Sequence, residues 1–511
     1  MAEAGRSALE TSGDGSADLT GPQDRRSLLR RAARGIRTAV RLPITWLVAA
    51  FFVLYSIYAV SRHLTYLTSG YDLGIFDQAV QRYSQLEAPI VPLKGVDYNI
   101  FGDHFHPIIS LLSPLYWIWD DPRTLLIAQA ALVAGSIIPV WAFARRRFTA
   151  VPALFVAAAY ALSWPLQGMI DFDFHEIAFA IPLIALVIYL IDIHRYGLCL
   201  VTGAVLLLVR EDMGALVVFV GILLLLRRRW WEGAVAVGLG LAGYVIATAI
   251  VLPAFSPTGQ FAYWSYDALG PNLPSALGYV VRHPFETLRL AVTPSAKVVT
   301  LLWLLVPTGL LALLSPYLLL TVPFLAQRFL SSRYQLWGTE FHYSSVMAPI
   351  VAMAATDGAA RLVRRWPRLR ALPLVWSSAA LAVACAGTVF VHAQFPFGRL
   401  LTGAAWAQTD RTRAISAILP MVPAGECVET DDRIAPQLTH RNYVSLPGIA
   451  DDLATWLVLD LGQTETGYLG PTPQAFMEKS QQEGFTVVQK AGDIVLLHRE
   501  SPVSPLCSAQ S

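Results

Sequence analysis

Long apolar runs separated by short polar segments fill most of the chain between residues 44 and 391. A helix needs about 20 apolar residues to cross a bilayer. Runs that meet or approach this length lie at 44–62, 124–144, 151–170, 177–193, 233–252, 297–314, 343–360 and 371–391, with shorter ones at 198–209, 213–226 and 317–330. The pattern predicts an all-α polytopic membrane protein with about 11 transmembrane helices.

One apolar segment, 107–119, is too short to span the bilayer comfortably, and its aromatic end favours a helix at the membrane interface. Counted in this way, it leaves four basic groups on the same side as the N-terminus: Arg145–Arg147, His194–Arg195, Arg227–Arg229 and the cluster at 364–370. Basic residues concentrate in cytoplasmic loops. We therefore expect a multi-pass protein of the plasma membrane with a cytoplasmic N-terminus and an extracytoplasmic C-terminal region.

Composition divides the chain into three regions. Residues 1–42 are polar and then arginine-rich, which predicts a disordered basic cytoplasmic segment that leads into an uncleaved anchor helix. Residues 43–391 form the polytopic domain, with long outer loops at 63–123 and 253–296. Residues 392–511 contain short β-like runs separated by turn residues, which predicts a small α/β extracytoplasmic domain.

Charge and cysteine usage narrow the class of protein further. Only 14% of the residues are charged, against about 25% in soluble domains, and the net charge of +2 indicates no nucleic-acid partner. Cys199 and Cys385 lie in apolar runs and are predicted core residues. Cys427 and Cys507 fall in the predicted extracytoplasmic domain, where disulfides are permitted; a bridge and two free thiols both remain open. A helix is predicted near Thr472–Glu483.

Five sets of acidic, histidine and arginine residues lie at the predicted outer ends of the helices. They are Asp72 with Asp77; Asp103, His104 and His106; Asp171, Asp173, His175 and Glu176; Arg210, Glu211 and Asp212; and Arg333, Glu340 and His342. Ionisable groups in or beside a membrane are costly, so they usually have a function. Because the sets come from distant parts of the chain but map to one side, they predict a single outward-facing polar cavity.

Each set also has a plainer interpretation. Asp72 could be a helix N-cap, the segment 103–106 a polar loop that caps the helix starting at Pro107, and Arg210–Asp212 a structural ion pair that holds a helical hairpin. The functional interpretation assigns a divalent metal or the acceptor to four residues, His104, His106, His175 and Glu176. Arg210 and Arg333 suit a phosphate, because a guanidinium binds two oxygens at once.

The order of the motifs resembles a known family. The runs YDLGIFDQAVQRYS, FGDHFHPI, DFHE, RED and EFHYSSVMAPI, spread over roughly residues 45–500, resemble the bacterial membrane-protein family named domain of unknown function 2079. That family is similar to the GT-C superfamily of membrane glycosyltransferases. In GT-C enzymes an acid in the first outer loop is the expected general base or metal-binding group, and the donor is a polyprenyl-phosphate-linked sugar.

The resemblance implies a transfer of that sugar to a cell-envelope glycan acceptor at the outer face of the membrane. By position, Asp72 or Asp77 would be the catalytic acid, although Leu73 follows Asp72 where better-known members have an Asp-Glu pair. The implied substrate-binding residues are Asp103, His104, Arg210, Glu211, Asp212, Arg333, Glu340 and His342.

Two other functions compete with glycosyl transfer. A transporter or flippase of a lipid-linked glycan predicts charged sites near the bilayer midplane and often internal repeats. The sequence contains no evident repeat, although Arg210–Asp212 is a midplane candidate that keeps transport open. A metal-dependent hydrolase is disfavoured, because the chain has no HExxH motif.

Overall fold

The computed structural model describes residues 42–260, 263–450, 452–464, 472–502 and 504–508. The predicted disordered segment 1–42 lies, except for Leu42, outside these residues. The longer α-helices are Pro43–Leu64, Ile75–Ser84, Arg123–Gly135, Ile137–Arg145, Ala150–Ala161, Ala180–Asp192, Tyr196–Leu206, Met213–Leu226, Trp230–Val245, Leu273–Arg282, Pro284–Val292, Ser295–Leu305, Ala348–Arg365, Leu372–Phe390, Asp410–Ile418 and Pro473–Gln482. Shorter ones are Ser113–Tyr116, Trp164–Ile170, Leu252–Phe255, Val322–Phe329, Gly398–Leu401 and Pro505–Ser508.

Several of these helices are long and apolar enough to cross a membrane. In the described part of the chain five qualify: Pro43–Leu64, Arg123–Arg145, Trp230–Phe255, His342–Arg365 and Leu372–Phe390. Two bent helix pairs, Ala150–Ala161 with Trp164–Ile170 and Pro284–Val292 with Ser295–Thr308, raise the number to seven if each pair is one span. The prediction of a multi-pass membrane protein is confirmed, and the count of about 11 spans stays a prediction.

Proline accounts for the break in each bent pair. Pro165 lies in the first turn of Trp164–Ile170, where the missing N–H costs nothing, and the two helices meet at 45°. Pro294 lies between the helices of the other pair, which meet at 75°. Proline therefore divides the predicted span 151–170 into two angled segments and places a bend just before the predicted span 297–314.

The hairpin formed by Met213–Leu226 and Trp230–Val245 is closely packed. A Cβ at Gly214 would lie 2.6 Å from the carbonyl oxygen of Gly240, and one at Gly221 would lie 2.7 Å from that of Gly233. Small residues allow such close backbone approach between helices in membranes. The packing fixes the position of Arg210–Asp212, which immediately precede the hairpin.

The segment predicted to lie at the interface is helical but irregular. It forms a 3₁₀-helix, Pro107–Leu112, followed by the short α-helix Ser113–Tyr116. Leu111, Trp117 and Ile118 are exposed. Exposed apolar and aromatic side chains are what a helix at the membrane surface requires, and its location there stays a prediction.

The C-terminal region contains a five-stranded mixed sheet. Its strands are β1 (Cys427–Thr430), β2 (Tyr443–Ser445), β3 (Trp456–Asp460), β4 (Thr486–Ala491) and β5 (Ile494–His498), in the order β2-β1-β3-β5-β4. β1 pairs in parallel with β2 and β3, whereas β5 is antiparallel to β3 and β4. The helix Pro473–Gln482 packs on the sheet through Phe476, in a core with Leu457, Leu459, Val495 and Leu497. The predicted α/β region and its helix near Thr472–Glu483 are confirmed.

The cysteines answer one open question and correct one prediction. Cys427 and Cys507 form a disulfide, with a Cα–Cα distance of 5.2 Å, which ties the C-terminal segment to the start of β1. Cys199 is buried as predicted. Cys385 is exposed, so the prediction of a core residue is wrong there. Its helix, Leu372–Phe390, is long and apolar, but only 17% of its most apolar stretch is buried inside the protein.

Candidate functional site

Asp72 lies in a one-turn π-helix, Gly70–Gly74, at the start of the helix Ile75–Ser84. One carboxylate oxygen is 3.3 Å from Nε2 of His175, and the other accepts a hydrogen bond of 2.8 Å from the hydroxyl of Ser69. The N-cap position belongs to Ser69, so the N-cap interpretation of Asp72 is not what the structure has. π-Helical turns often occur at functional sites.

The carboxylate of Asp72 is both held in place and accessible. Its side chain is 26% exposed. Burial raises the pKa of Asp72, but the hydrogen bond and positive charge of His175 and the hydroxyl of Ser69 outweigh burial and lower it. The acid is therefore ionised at neutral pH and is able to accept a proton.

Asp77 has a different environment. Its side chain is fully buried and accepts a hydrogen bond of 2.5 Å from the hydroxyl of Tyr116. Burial raises the pKa of Asp77 to about 7. Of the two candidate acids, only Asp72 combines ionisation with access, so the structure separates two residues that the sequence left equivalent.

Two acids of the third set, Asp171 and Asp173, bind residues that precede this turn in the chain. Asp173 accepts hydrogen bonds from Arg62, at 2.7 Å, and from the backbone N–H of Ser69, at 2.6 Å. Asp171 accepts from the hydroxyl of Tyr58 and from Arg399. Because their charges are paired, Asp171 and Asp173 have a structural role in fixing the first long loop against the helix ends.

Aromatic and imidazole rings surround Asp72. The ring of His175 lies 4.2 Å from that of His342, measured between centroids. Phe76 contacts both His175 and His106 at 5.5 Å. His342 and His106 are almost completely buried. Contacts through His175 and Phe76 thus join residues from four of the five sets. The rings of Phe76, His106, Phe172, His175 and His342 form a ring cluster.

Arg210 joins the ring cluster to the helical hairpin. Its guanidinium binds both carboxylate oxygens of Asp212, at 2.9 and 2.5 Å, and lies 3.3 Å from the carboxylate of Glu176. Burial raises the pKa of Glu176, but Arg210 and the neighbouring histidines lower it. The structure therefore supports the interpretation of Arg210 and Asp212 as a structural ion pair, and leaves Arg210 with little capacity for a phosphate.

His104 forms a second ion pair next to the first. Its Nδ1 lies 2.8 Å from one oxygen of Glu211, whose other oxygen accepts from the backbone N–H of Phe105. Burial lowers the pKa of His104, but the charge of Glu211 reverses the direction and raises it. Tyr263 stacks on His104 at 4.5 Å and donates its hydroxyl to Asp103.

Asp103 is also engaged in an ion pair, since the amino group of Lys94 lies 2.5 Å from its second oxygen. The ammonium of Lys94 in turn lies over the rings of Tyr71 and Tyr98. His106 occupies the N-cap position of the helix at Pro107 and makes no capping hydrogen bond with its side chain. The segment 103–106 therefore links the ion pairs of Asp103 and His104 to the ring cluster, and its side chains do not cap the helix at Pro107.

The fifth set is divided. His342 belongs to the ring cluster, whereas Arg333 and Glu340 are exposed. The guanidinium of Arg333 lies 5.9 Å from the ring of Tyr263, near the ion pair of His104. Glu340 lies in a loop that Arg328 fixes through hydrogen bonds to the carbonyls of Leu336 and Gly338. The structure thus brings Arg333 beside the site and leaves Glu340 at its margin.

The four predicted metal ligands do not form a ligand set. Within the described ranges, no three His, Cys, Asp or Glu side chains are placed to hold one metal ion. His104 is also charged through its pairing with Glu211, and a metal requires a neutral imidazole. These residues do not fit a divalent ion, so no catalytic step is derived through one.

Several residues of the site carried no signal in the sequence. Ser69 and Tyr263 are single polar residues in long loops, and Lys94 is an isolated lysine after an apolar stretch. Asp432, which contacts the Asp72 turn, is the second residue after the end of β1. Because the carboxyl ends of parallel strands are frequent sites of function, Asp432 is the one that strand prediction could have found.

The fold and its polar cluster define a multi-pass membrane protein with a small mixed-sheet region at its C-terminus. The chain belongs to the DUF2079 family of predicted membrane proteins, whose model matches residues 62–496. The family expected from the motif order is therefore confirmed. No curated protein matches the sequence.

Solved structures of other proteins are similar to this chain. ArnT from Cupriavidus metallidurans, bound to undecaprenyl phosphate, is 14% identical with a TM-score of 0.53, over 91% of this chain and 100% of that chain. The Archaeoglobus fulgidus oligosaccharyltransferase, tethered with an acceptor peptide, is 11% identical with a TM-score of 0.38, over 91% of this chain and 75% of that chain. The chain resembles GT-C glycosyltransferases. Because it is only 14% identical to ArnT, the likeness concerns the fold alone.

Proposed function

We propose that the protein is a membrane glycosyltransferase that transfers a sugar from a polyprenyl-phosphate donor to an acceptor hydroxyl, with Asp72 as general base. The observation that carries the proposal is the state of Asp72, an ionised and accessible carboxylate oriented by Ser69 and His175. ArnT, which shares the fold, was solved with undecaprenyl phosphate, a lipid of the donor class.

The chemistry follows from that carboxylate. As the acceptor oxygen attacks the anomeric carbon, its proton passes to Asp72, and a positioned base contributes about 10²- to 10⁴-fold to such a step. The bond between the anomeric carbon and the phosphate oxygen breaks, and its electron pair leaves with the lipid phosphate. A cation near the leaving oxygen stabilises this charge.

Arg333 is the proposed cation for the lipid phosphate. Arg210 already pairs with Asp212 and Glu176, and Lys94 pairs with Asp103. Arg333 is exposed and lies beside Tyr263, on the His104 side of the site. The predicted roles of His104, Glu211 and Asp212 in substrate binding then become indirect, through the walls that their ion pairs build.

The membrane orientation belongs to the same proposal. We place the site and the C-terminal region on the outer face, with about 11 spans between a cytoplasmic N-terminus and that region. The basic loops support this orientation. The disulfide Cys427–Cys507 also supports it, because disulfides persist in oxidising compartments and are rare in the cytosol.

The decisive experiment supplies the purified full-length protein with a panel of polyprenyl-phosphate hexoses and pentoses, and measures released polyprenyl phosphate. We expect release with at least one donor, and a loss of about 10²- to 10⁴-fold in Asp72→Asn. Asp77→Asn is the matched control. It should stay within a few-fold of wild type, because Asn imitates the protonated acid that burial already favours.

Two outcomes would count against this assignment. Full activity in both Asp72→Asn and Asp77→Asn would remove the base from the first loop. No release with any donor, in protein that still binds the lipid, would favour the transport of a lipid-linked glycan.

A further inference from the structure

The backbone N–H groups at the start of the Asp72 turn donate to two acidic residues from distant parts of the chain. The first N–H groups of a helix have no partner within the helix. Here the N–H of Ser69 donates to the carboxylate of Asp173. The N–H of Gly70 donates to the carbonyl oxygen of Asp432 at 2.7 Å, and that of Tyr71 donates to the carboxylate of Asp432 at 2.9 Å. Asp432 therefore caps the turn from 361 positions away.

The contact between this turn and the C-terminal region is close. A Cβ at Gly70 would lie 2.9 Å from the Cβ of Ala435, so the backbone there approaches to a distance that only glycine allows. Arg433 donates to the carbonyl of Leu67 at 2.6 Å, and Gln437 donates to that of His63 at 2.8 Å. Segment 432–437 thus binds the stretch that leads from the first helix to Asp72.

This segment is built on the sheet. Only Asp431 separates it from β1, and the N–H groups of Ile434 and Ala435 donate to the carbonyl of Asp431. The carboxylate of Asp431 accepts from the N–H of Asp460 at the end of β3. The carboxyl ends of two parallel strands therefore set the position of Asp432. A capping residue that two strands support is held more rigidly than one on a free loop.

We propose that Asp432 is a positioning residue for Asp72, so that the C-terminal sheet region completes the site that the membrane helices begin. The proposal rests on the proposed function, because it takes Asp72 as the base. Asp432 does not touch the reacting atoms. It holds the turn that aims the carboxylate of Asp72, and a misplacement of about 1 Å in a catalytic group costs about 10²-fold in rate.

The test uses full-length protein carrying Asp432→Ala or Asp432→Asn, with Asp452→Ala as a control on an exposed acid of the same region. Asn keeps the oxygen that accepts from Tyr71, whereas Ala removes it. We expect Asp432→Ala to lower kcat by about 10- to 100-fold, with a change in donor KM of less than about twofold. Asp432→Asn should restore kcat, and Asp452→Ala should equal wild type.

Hydrogen exchange at the amide of Tyr71, measured by mass spectrometry, is the second readout, because the N–H of Gly70 donates to a backbone carbonyl that Asp432→Ala keeps. Exchange should be faster in Asp432→Ala and unchanged in Asp432→Asn. Wild-type exchange and kcat in Asp432→Ala would overturn the proposal, as would an Asp432→Asn variant as defective as Asp432→Ala. If wild type itself turns over no donor, the glycosyltransferase assignment has failed, and exchange alone decides whether Asp432 caps the turn.

Discussion

Two groups of side chains, the Arg147 network (Arg146, Arg147, Asp192, Ser315, Asp357 and Arg361) and the ring cluster, differ in how completely their buried polar atoms are paired. In the Arg147 network, Asp192 accepts from both Arg146 and Arg147, at 2.7 and 2.6 Å. Asp357 accepts from Arg361 at 2.7 Å and from the hydroxyl of Ser315 at 2.8 Å, and lies 3.3 Å from Arg147. Each acid of this network has at least two donors.

The ring cluster is less complete. Among the residues that the structure describes, both ring nitrogens of His342 and Nδ1 of His106 are buried without a hydrogen-bond partner. A buried polar group without a partner costs about 1–3 kcal/mol. The Arg147 network therefore stabilises the helix ends, whereas the ring cluster keeps unused hydrogen-bonding capacity at a cost to stability, as we expect of a site that binds a ligand.

The largest effect is expected from a substitution that breaks the Arg147 network. Asp357→Ala should lower the free energy of unfolding by about 1–3 kcal/mol, because it removes the acceptor of the buried Ser315 hydroxyl and one of the two acids beside Arg147, which keeps Asp192. Thermal unfolding of the purified protein measures the loss. Turnover per folded molecule should not change, since Ser69 and His175, the residues that hold the carboxylate of Asp72, lie outside this network.

Asp410→Ala provides the matched control for that measurement. Its carboxylate is fully exposed and pairs with Arg413, which is itself 60% exposed. Surface substitutions of this kind usually change stability by less than about 0.5 kcal/mol. Equal losses in the two variants would mean that burial does not distinguish the Arg147 network from a surface pair.

The sequence predicted the membrane fold well, because apolar runs depend on composition alone. Its weakest results concern geometry. The runs 151–170 and 297–314 were predicted as single spans, but the structure bends the first at Pro165 and places a bend at Pro294 just before the second. Charge patterning predicted that the five sets share one side of the membrane. The contacts of His175 with Asp72 and His342 bring three of the sets together, and the side of the membrane stays a prediction.

The site was predicted only in outline, because pairing is a three-dimensional property. Asp72 and Asp77 were equivalent in the sequence, and only burial separates them. Arg210 suited a phosphate until Asp212 and Glu176 were found to occupy its guanidinium. The contact of Asp432 with the Asp72 turn joins residues 361 positions apart, and no local pattern reports it.

A substitution at His342 should have an intermediate effect and tests whether the ring cluster binds substrate. His342→Phe keeps a ring of similar size against His175 and Phe172 but removes both unpartnered nitrogens. The midpoint of thermal unfolding should stay the same or rise, because an unsatisfied buried group is lost. Sugar transfer should fall by about 10-fold if the nitrogens bind substrate. A variant that is less stable and fully active would show that His342 is an ordinary core residue.

The smallest effect concerns pH and the ion pair of His104 with Glu211. Burial lowers the pKa of His104, but Glu211 raises it to about 9 in the folded protein, above the ordinary value of 6.5. For a base with a raised pKa, the stabilisation is fully present below pH 6.5 and is lost as the pH rises through about 9. The midpoint of thermal unfolding should therefore fall between these pH values more in wild type than in His104→Gln. Since 30% of the His104 side chain is exposed, the difference should be about 1 kcal/mol or less. Equal pH dependence in the two proteins would place His104 outside the electrostatic framework of the site.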